Sequence, residues 1–552
     1  MSLASRVRSI ASTVGVLALV SSLGACASEP ESTEEVAVSA EETNLNFAIE
    51  GANLSAGHMD IHSSQLDVAS LVLRNSFDSL VAQDASGEFV PWLAESWEIS
   101  DDGLRYTFTL RDDVTFHDGE PFNAEAVKAN FEHVVAPETA SAQAASLIGY
   151  AEEGGYYLGT EVVSEYEVAV NFSQPYAPFL QGLSLPQLGF YSPKVLAERA
   201  DELKAGGPGI TVGTGPFILT EYVPDQELVF TANPDYNWAP ANSDHQGPAA
   251  SDVLTITILP ETASRVGAIN SGDVDIAADF TPDMAAQVAE GVSTVAVEMP
   301  GIPYSLYINE ANGVFEDPLV REAFSIGFDA QSAIESIYLG QFGRAWSILG
   351  PTTPNSYDAS LEGSWPYNPE RANQLLDEAG WTGRDDEGYR TKNGERLSAR
   401  WIAYTPVPDD RASLANFIQS DLADIGFDLQ REVLEPAQYM ESYVPRSFDV
   451  TDWSFSSPDA DVLRSHLQTG GYQTVSTVTK PEVDQWLSEA VATSDPAERE
   501  RLYQTVQQWN AEENLIVPLV VPSEITAVSD AVSGLEFDLY GRALLYGASA
   551  AR

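Results

Sequence analysis

The 552-residue chain contains a single cysteine, Cys26, so no disulfide can form within it. None is needed at this length, where packing alone can supply two or three cores. Positive charge is also scarce. Against 83 Asp and Glu stand 27 Lys and Arg, a formal net charge of −56. Such a surface repels phosphate backbones and anionic membrane surfaces, which excludes nucleic acid as a partner. The acids are spread along the whole chain and read as a solvated acidic shell suited to salt or to the cell exterior; a preference for a cationic ligand is the competing reading. Beyond the first 26 residues no apolar run reaches membrane-spanning length. Catalytic signatures are missing too: there is no G-x-S-x-G elbow and no H-E-x-x-H zinc helix. Acidic pairs such as Asp459 and Asp461 could serve a hydrolase, but among 83 acids such pairs arise by chance. A secreted hydrolase is the remote alternative. What is present, 44% hydrophobic and 10% aromatic residues, is the content of a globular protein.

Six histidines occur, and only His58 and His62 are close, with Asp60 between them. On a helix, four-residue spacing would place both on one metal ion. Gly57 and a preceding strand-like run argue against a helix, and solvent-exposed histidines are the plainer reading.

The first 26 residues set the compartment. Arg6 and Arg8 precede a compact apolar run from Ile10 to Val20, followed by Leu23-Gly24-Ala25-Cys26. The run is too short to span a membrane and reads as a secretory signal, residues 1–25. The L-G-A-C tetrad is similar to a bacterial lipobox, which implies a lipid on Cys26 and a cell-membrane location facing outward. Acyl chains would then be the anchor. Ala27 to Thr43 is acidic, rich in Ser and Thr and poor in large apolar groups, and reads as a tether.

Further along, Leu45, Phe47 and Ile49 alternate as a strand. Val68 to Leu80 carries Leu73, Phe77 and Leu80 at helical spacing. Arg105 to Arg111 alternates strictly, Tyr106, Phe108 and Leu110 to one side, between turn signals at Asp101-Asp102-Gly103 and His117-Asp118-Gly119. Asn123 opens a helix bearing Val127, Phe131 and Val134. Val212-Gly213-Thr214-Gly215-Pro216-Phe217 could be mistaken for a phosphate cradle, but no Lys-Ser/Thr follows and the next run is extended. Asp317-Pro318, Asn368-Pro369 and Asp495-Pro496 open helices with an acceptor at the N-cap and Pro at N1, and Glu498 gives the third the look of a capping box. Helices alternating with short apolar strands predict α/β lobes.

Four landmarks in order resemble those of the extracellular solute-binding proteins of family 5, the peptide/nickel type that serves ABC importers. They are the Leu93–Phe122 stretch, G-T-G-P-F (213–217) with N-P-D-Y-N-W (233–238), S-G-D-V-D-I (271–276), and D-P-L-V-R-E-A-F-S-I-G-F-D (317–329). The resemblance covers about residues 45–545. It implies an α/β, periplasmic-binding-protein-like fold of type II, two lobes around a ligand cleft plus an inserted small α/β domain. After the anchor and tether (26–43), lobe one would combine 44–62, 187–285 and 515–552, the small domain 63–186, and lobe two 286–514. It further implies a monomeric solute binder, not an enzyme, without a cofactor, that captures a small polar solute by closure and delivers it to permease subunits.

For the ligand site the resemblance points first to Trp453-Ser454-Phe455-Ser456. This segment is similar to the family's W-x-x-D, whose Asp pairs with a peptide's α-amino group. Here Ser456 stands in the acidic position, and a hydroxyl cannot replace a carboxylate opposite a buried ammonium. Asp279 and Phe280 align with a ligand-contacting turn, and Gln65 and Asp67 fall in the loop after the first strand. Arg446 lies near a position that holds a ligand carboxylate in some relatives. Tyr304 and Tyr307 come close to the crossing between lobes, and the scarcity of arginine draws attention to Arg411 as well. A peptide-like solute is favoured by the family at large, a neutral sugar or opine-type solute by Ser456 beside aromatics, and a nickel chelate by His58 and His62.

Overall fold

The computed structural model describes residues 43–551 apart from 52, 85, 142 and 151–154. The signal segment, Cys26 and the tether through residue 42 lie outside the described residues. Among the described residues the strands form two large sheets, a four-stranded one and four smaller ones, of three, two, two and two strands. The first large sheet has seven strands in the order Val292–Glu298, Ser523–Ser529, Ile276–Ala277, Asn44–Ile49, Val253–Ile258, Glu227–Ala232 and Phe217–Val223. At its centre Asn44–Ile49 runs parallel to both neighbours, and Leu45, Phe47 and Ile49 are fully buried. The second sheet has six strands, Gly343–Arg344, Ile516–Val521, Gly301–Ile308, Val450–Ser456, Ser398–Tyr404 and Asp428–Leu434. A four-stranded antiparallel sheet, Ala94–Ile99, Arg105–Leu110, Glu167–Phe172 and Tyr157–Ser164, builds the inserted domain. In it Tyr106, Phe108 and Leu110 share the buried face that their alternation demands.

The chain passes between the large sheets twice, at Met299–Pro300 and at Pro522. These points differ from the expected boundaries after 285 and 514. Val292–Glu298 pairs with Ser523–Ser529 along its whole length and so belongs to the first sheet, while Ile516–Val521 pairs into the second. Strand patterning carries no mark of which sheet a strand joins, because alternation looks the same on either side of a crossing. The crossings are tied together: Met299 N–H donates to Pro522 O at 2.9 Å. Gly301, at φ 97°, follows at once. A Cβ there would fall against Phe455 O and 2.5 Å from Ser457 N, so the hinge strand can press this closely on Val450–Ser456 only through a glycine.

The predicted helix starts mostly hold. Asn123 caps Ala124–Val135, Asp317 caps Pro318–Ile326 and Asn368 caps Pro369–Glu378. Asp495 caps Pro496–Glu513, but no capping box forms, because the Glu498 carboxylate is taken by Arg501. The helix expected over 68–80 ends at Leu73. Its continuation is pre-empted by the glycine-rich turn: Gly215 N–H donates to Ser76 O and Phe217 N–H to Asn75 O, at 3.0 and 2.9 Å. A Cβ on Gly215 would stand 2.5 Å from Ser76 C. The turn is therefore a close-packing device and feeds the strand Phe217–Val223.

The landmarks converge on one buried carboxylate. Asp78, fully buried, accepts from Thr214 Oγ1 at 3.0 Å, Trp238 Nε1 at 3.0 Å and Tyr236 OH at 3.3 Å. His117 donates its backbone N–H to Gly213 O. Burial pushes the Asp78 carboxyl up to about 6, against the pull of these donors and of Arg74. On the far side, Ala177 N–H of the inserted domain bonds Val491 O of the second lobe at 2.9 Å, and Val491 packs into the core that holds Tyr176. The inserted domain and the second lobe thus meet in the described conformation.

Candidate functional site

Beside the hinge, a solvent-connected space of about 460 Å³ opens on the first-sheet side of the crossing. Its walls come from distant parts of the sequence: Asp67 at the start of the helix Asp67–Leu73, Asp279 just past Ile276–Ala277, Met299 at the crossing, Glu524 on Ser523–Ser529, and Tyr540 and Arg542 from the C-terminal segment. A neighbouring cleft of about 1010 Å³ shares Leu71, Tyr540 and Ala543 with it and adds Arg74, Asp538 and, from the second lobe, Pro458.

Asp279 adopts φ 59°, its Oδ2 accepts from Glu50 N–H at 2.7 Å, and its carbonyl accepts from Arg265 Nη2 at 2.9 Å. This clamp fixes the carboxylate at the cavity wall. Burial, reinforced by the Asp279 and Asp67 carboxylates, pushes Glu524 up to about 8, while Arg542 acts the other way. Arg542 lies with its guanidinium carbon 4.0 Å above the Tyr540 ring and its Nε 3.5 Å from Asp538. Burial acts to lower its pKa, but Asp538, Tyr540, Asp67 and Glu524 outweigh that and raise it, so the group is cationic. Arg74 is spent on structure: it donates to Phe77 O, Ser79 Oγ and Ser184 O and covers the Trp92 ring at 5.0 Å.

The residues singled out in the sequence fall into distinct places. Asp67 and Asp279 share the cavity, and Ser456 joins them through Met299, whose Sδ lies 3.7 Å from its Oγ. Gln65 is exposed, two residues ahead of Asp67. Ser454 accepts from Arg411 Nη2 at 3.0 Å, and Arg411 lies 4.3 Å above the Tyr304 ring. Phe455 is exposed, with its ring edge-on to His466. Trp453 and Arg446 line a separate aromatic pocket on the second lobe with Tyr404, Tyr439, Tyr443 and Tyr472. Trp453 stands edge-on to Tyr439 and Tyr443 at 5.6 and 5.4 Å, and Arg446 covers Tyr443 at 4.6 Å. Phe280, Tyr304 and Tyr307 are core residues, with exposures of 5%, 1% and 0%, and none of them lines the hinge-side cavity.

The histidine pair does not converge. The segment around it is turn and loop, so the four-residue spacing aligns nothing. His62 is buried against His133 and Gly189 O, at 2.9 and 2.8 Å, and His58 faces Ser64. Among the described residues no group of three or more His, Cys, Asp or Glu is placed to hold a metal ion. The residues missed in the sequence are Glu524, Tyr540 and Arg542. The scarcity of arginine that drew attention to Arg411 and Arg446 applies equally to Arg542.

The profile of the bacterial extracellular solute-binding proteins, family 5, matches residues 88–508. The nickel-binding periplasmic protein of Escherichia coli is 29% identical over 80% of this chain and 83% of its own length. Di/tripeptide-binding protein 2 of Pseudomonas aeruginosa is 30% identical over 81% of this chain and 84% of its own. The crystal structure of NikA from Brucella suis in complex with Fe(III)-EDTA superposes with a TM-score of 0.79 at 26% identity, covering 92% of this chain and all of that one. With two sheets joined by paired crossings, an inserted antiparallel domain and these matches, the chain belongs to the bacterial extracellular solute-binding proteins of family 5.

Proposed function

We propose that the protein captures a small polar solute between its two lobes and hands it to the permease of an ABC importer, returning it chemically unchanged. The observation that carries this reading is the cavity beside the hinge, whose lining joins Asp279 and Glu524 of the first sheet to Met299 of the crossing, with Pro458 of the second lobe across the adjoining cleft. A ligand bridging such walls stabilises the closed arrangement by its differential affinity for it. Peptide-like solutes are favoured, in line with the names of relatives that bind di- and tripeptides or glutathione. The aromatic pocket around Trp453 favours a second reading, a neutral sugar or opine-type solute, because rings offer stacking surface without charge. A chelated metal is suggested by the nickel-binding relative and by the neighbour that holds Fe(III)-EDTA, and by no residue group of this chain among those described. In this reading lobe one, expected as 44–62, 187–285 and 515–552, runs on to Glu298 and resumes at Ser523.

The export signal, the lipid on Cys26 and the outward-facing membrane location belong to the same proposal. Among the described residues no helix is long and apolar enough to cross a membrane. Metabolic labelling with palmitate, lost in Cys26→Ala, tests the anchor. For capture, a thermal-shift screen against peptides, sugars, opines and nickel chelates is paired with small-angle scattering. A solute at 100 times its Kd adds about 2.7 kcal/mol of stability. A tightly bound solute that leaves the scattering profile unchanged overturns capture by closure.

A further inference from the structure

Arg542 is buried, its side chain 9% exposed, yet Nε and Nη1 have no hydrogen-bond partner among the described residues. Asp538 is near enough for a loose ion pair but too far for a hydrogen bond. A buried guanidinium with unmade bonds is a costly arrangement, and this one lines the cavity beside the hinge. Asp67, Asp279 and Glu524 line the same cavity. None of the three makes an ion pair with a described residue. The trio does not converge tightly enough to chelate a bare ion among the described residues. On the second lobe, the position where the resemblance places an acid is Ser456, so that wall offers no charge to a cation.

We propose that this cavity recognises a dipolar organic solute from the first lobe: its ammonium or guanidinium group is held by Asp67, Asp279 and Glu524, and its carboxylate or carbonyl oxygen accepts from the unpaired N–H groups of Arg542. The inference rests on the reading of this cavity as the solute site. It assigns the charge recognition to residues of the first lobe rather than to the Trp453–Ser456 segment.

A linked proton supports it. Glu524 faces Asp279, Asp67 and Arg542, with Tyr540 and Asp538 around Arg542 and Arg74 beyond them. Buried among like charges, it keeps its proton to about pH 8. A docked cation reverses the local sign and favours the carboxylate, so the O–H bond breaks, the electron pair stays on Glu524, and the proton leaves to buffer.

The test is titration calorimetry of the full-length chain at pH 7, in two buffers of different ionisation enthalpy. The probes are L-alanyl-L-alanine, L-lysine and L-arginine, with the N-acetyl and C-terminal amide forms of the dipeptide, glucose and Ni²⁺ alongside. At least one dipolar probe is expected to bind with release of close to one proton. Blocking either of its charges should weaken binding tenfold or more, as should Asp67→Asn. Glu524→Gln should abolish the proton release. Arg542→Lys should weaken the free-acid form tenfold while leaving the amide form nearly unchanged, an outcome a merely folding-related role would not give. If a probe binds but is indifferent to blocking and to Glu524→Gln, or if glucose or Ni²⁺ alone binds, the proposal is overturned while solute capture stands. If no probe of any class binds, both fall.

Discussion

Replacing Gly301 by alanine is expected to destabilise the protein by about 4 kcal/mol. Two contributions add. A non-glycine residue held at φ 97° costs about 1–3 kcal/mol in backbone strain. The new methyl would also press on Phe455 O and Ser457 N, both backbone atoms of a strand end and its extension. Neither can rotate away, and overpacking of this kind costs about 1–3 kcal/mol. Gly119 separates the two contributions. It has φ 84° in a turn, but a Cβ there would meet nothing within 4 Å. Gly119→Ala should therefore show the strain alone, about 2 kcal/mol. Urea titrations of both variants, followed by tryptophan fluorescence, give the comparison. Equal losses for the two would refute the argument that the hinge strand is pressed against Val450–Ser456, as would a Gly301→Ala loss below about 1 kcal/mol.

Asp78→Ala should cost about 3 kcal/mol, because Thr214, Trp238 and Tyr236 lose their shared acceptor in a buried site; a differential-scanning melt unchanged within a degree would count against it. Glu524 has a folded-state pKa above its ordinary 4.5, so the folded state holds the extra proton and stability is lost as pH rises from about 4.5 to about 8. At about 1.4 kcal/mol per unit the loss totals roughly 5 kcal/mol, and Glu524→Gln should flatten it; ligand-free melts at pH 5, 6.5 and 8 decide, and a slope equal to that of the unaltered protein sinks the assignment. Arg321→Ala should cost about 2 kcal/mol by removing bonds to Phe315 O and Glu513 O and the pair with the Glu513 carboxylate, with Arg321→Lys recovering part of it in the same urea assay.

Local structure was well written in the sequence and its assembly was not. Tyr106, Phe108 and Leu110 announce their strand because one face must be dry, and Asp317, Asn368 and Asp495 announce helix starts because four N–H groups there need acceptors. The helix that stopped at Leu73 could not be foreseen from its own residues, since what ends it is the carbonyl of Ser76 claimed by Gly215 from 139 positions away. Glu498 matched a local rule and was taken by a nearer arginine. In the cavity, Asp67 and Asp279 were legible through resemblance, yet Glu524 and Arg542 were not. They meet only because the chain returns across the hinge, and no periodicity encodes that return. Tyr304 and Tyr307 were drawn to attention by position near a crossing and Phe280 by its match to a ligand-contacting turn, whereas all three side chains are buried in the core.

The last residues of the chain close the fold on its beginning. Val532–Ser533 pairs with Ser549–Ala550, Ser251 bonds Ala548 O, and Ser523–Ser529 fills the place between Ile276–Ala277 and Val292–Glu298. During synthesis the first sheet must wait, with Asn44–Ile49 already made, until nearly five hundred further residues have emerged. Contacts so distant in sequence form late. A nascent chain therefore has no complete cavity, and a product truncated before Arg542 lacks one of its walls however well its second sheet has formed.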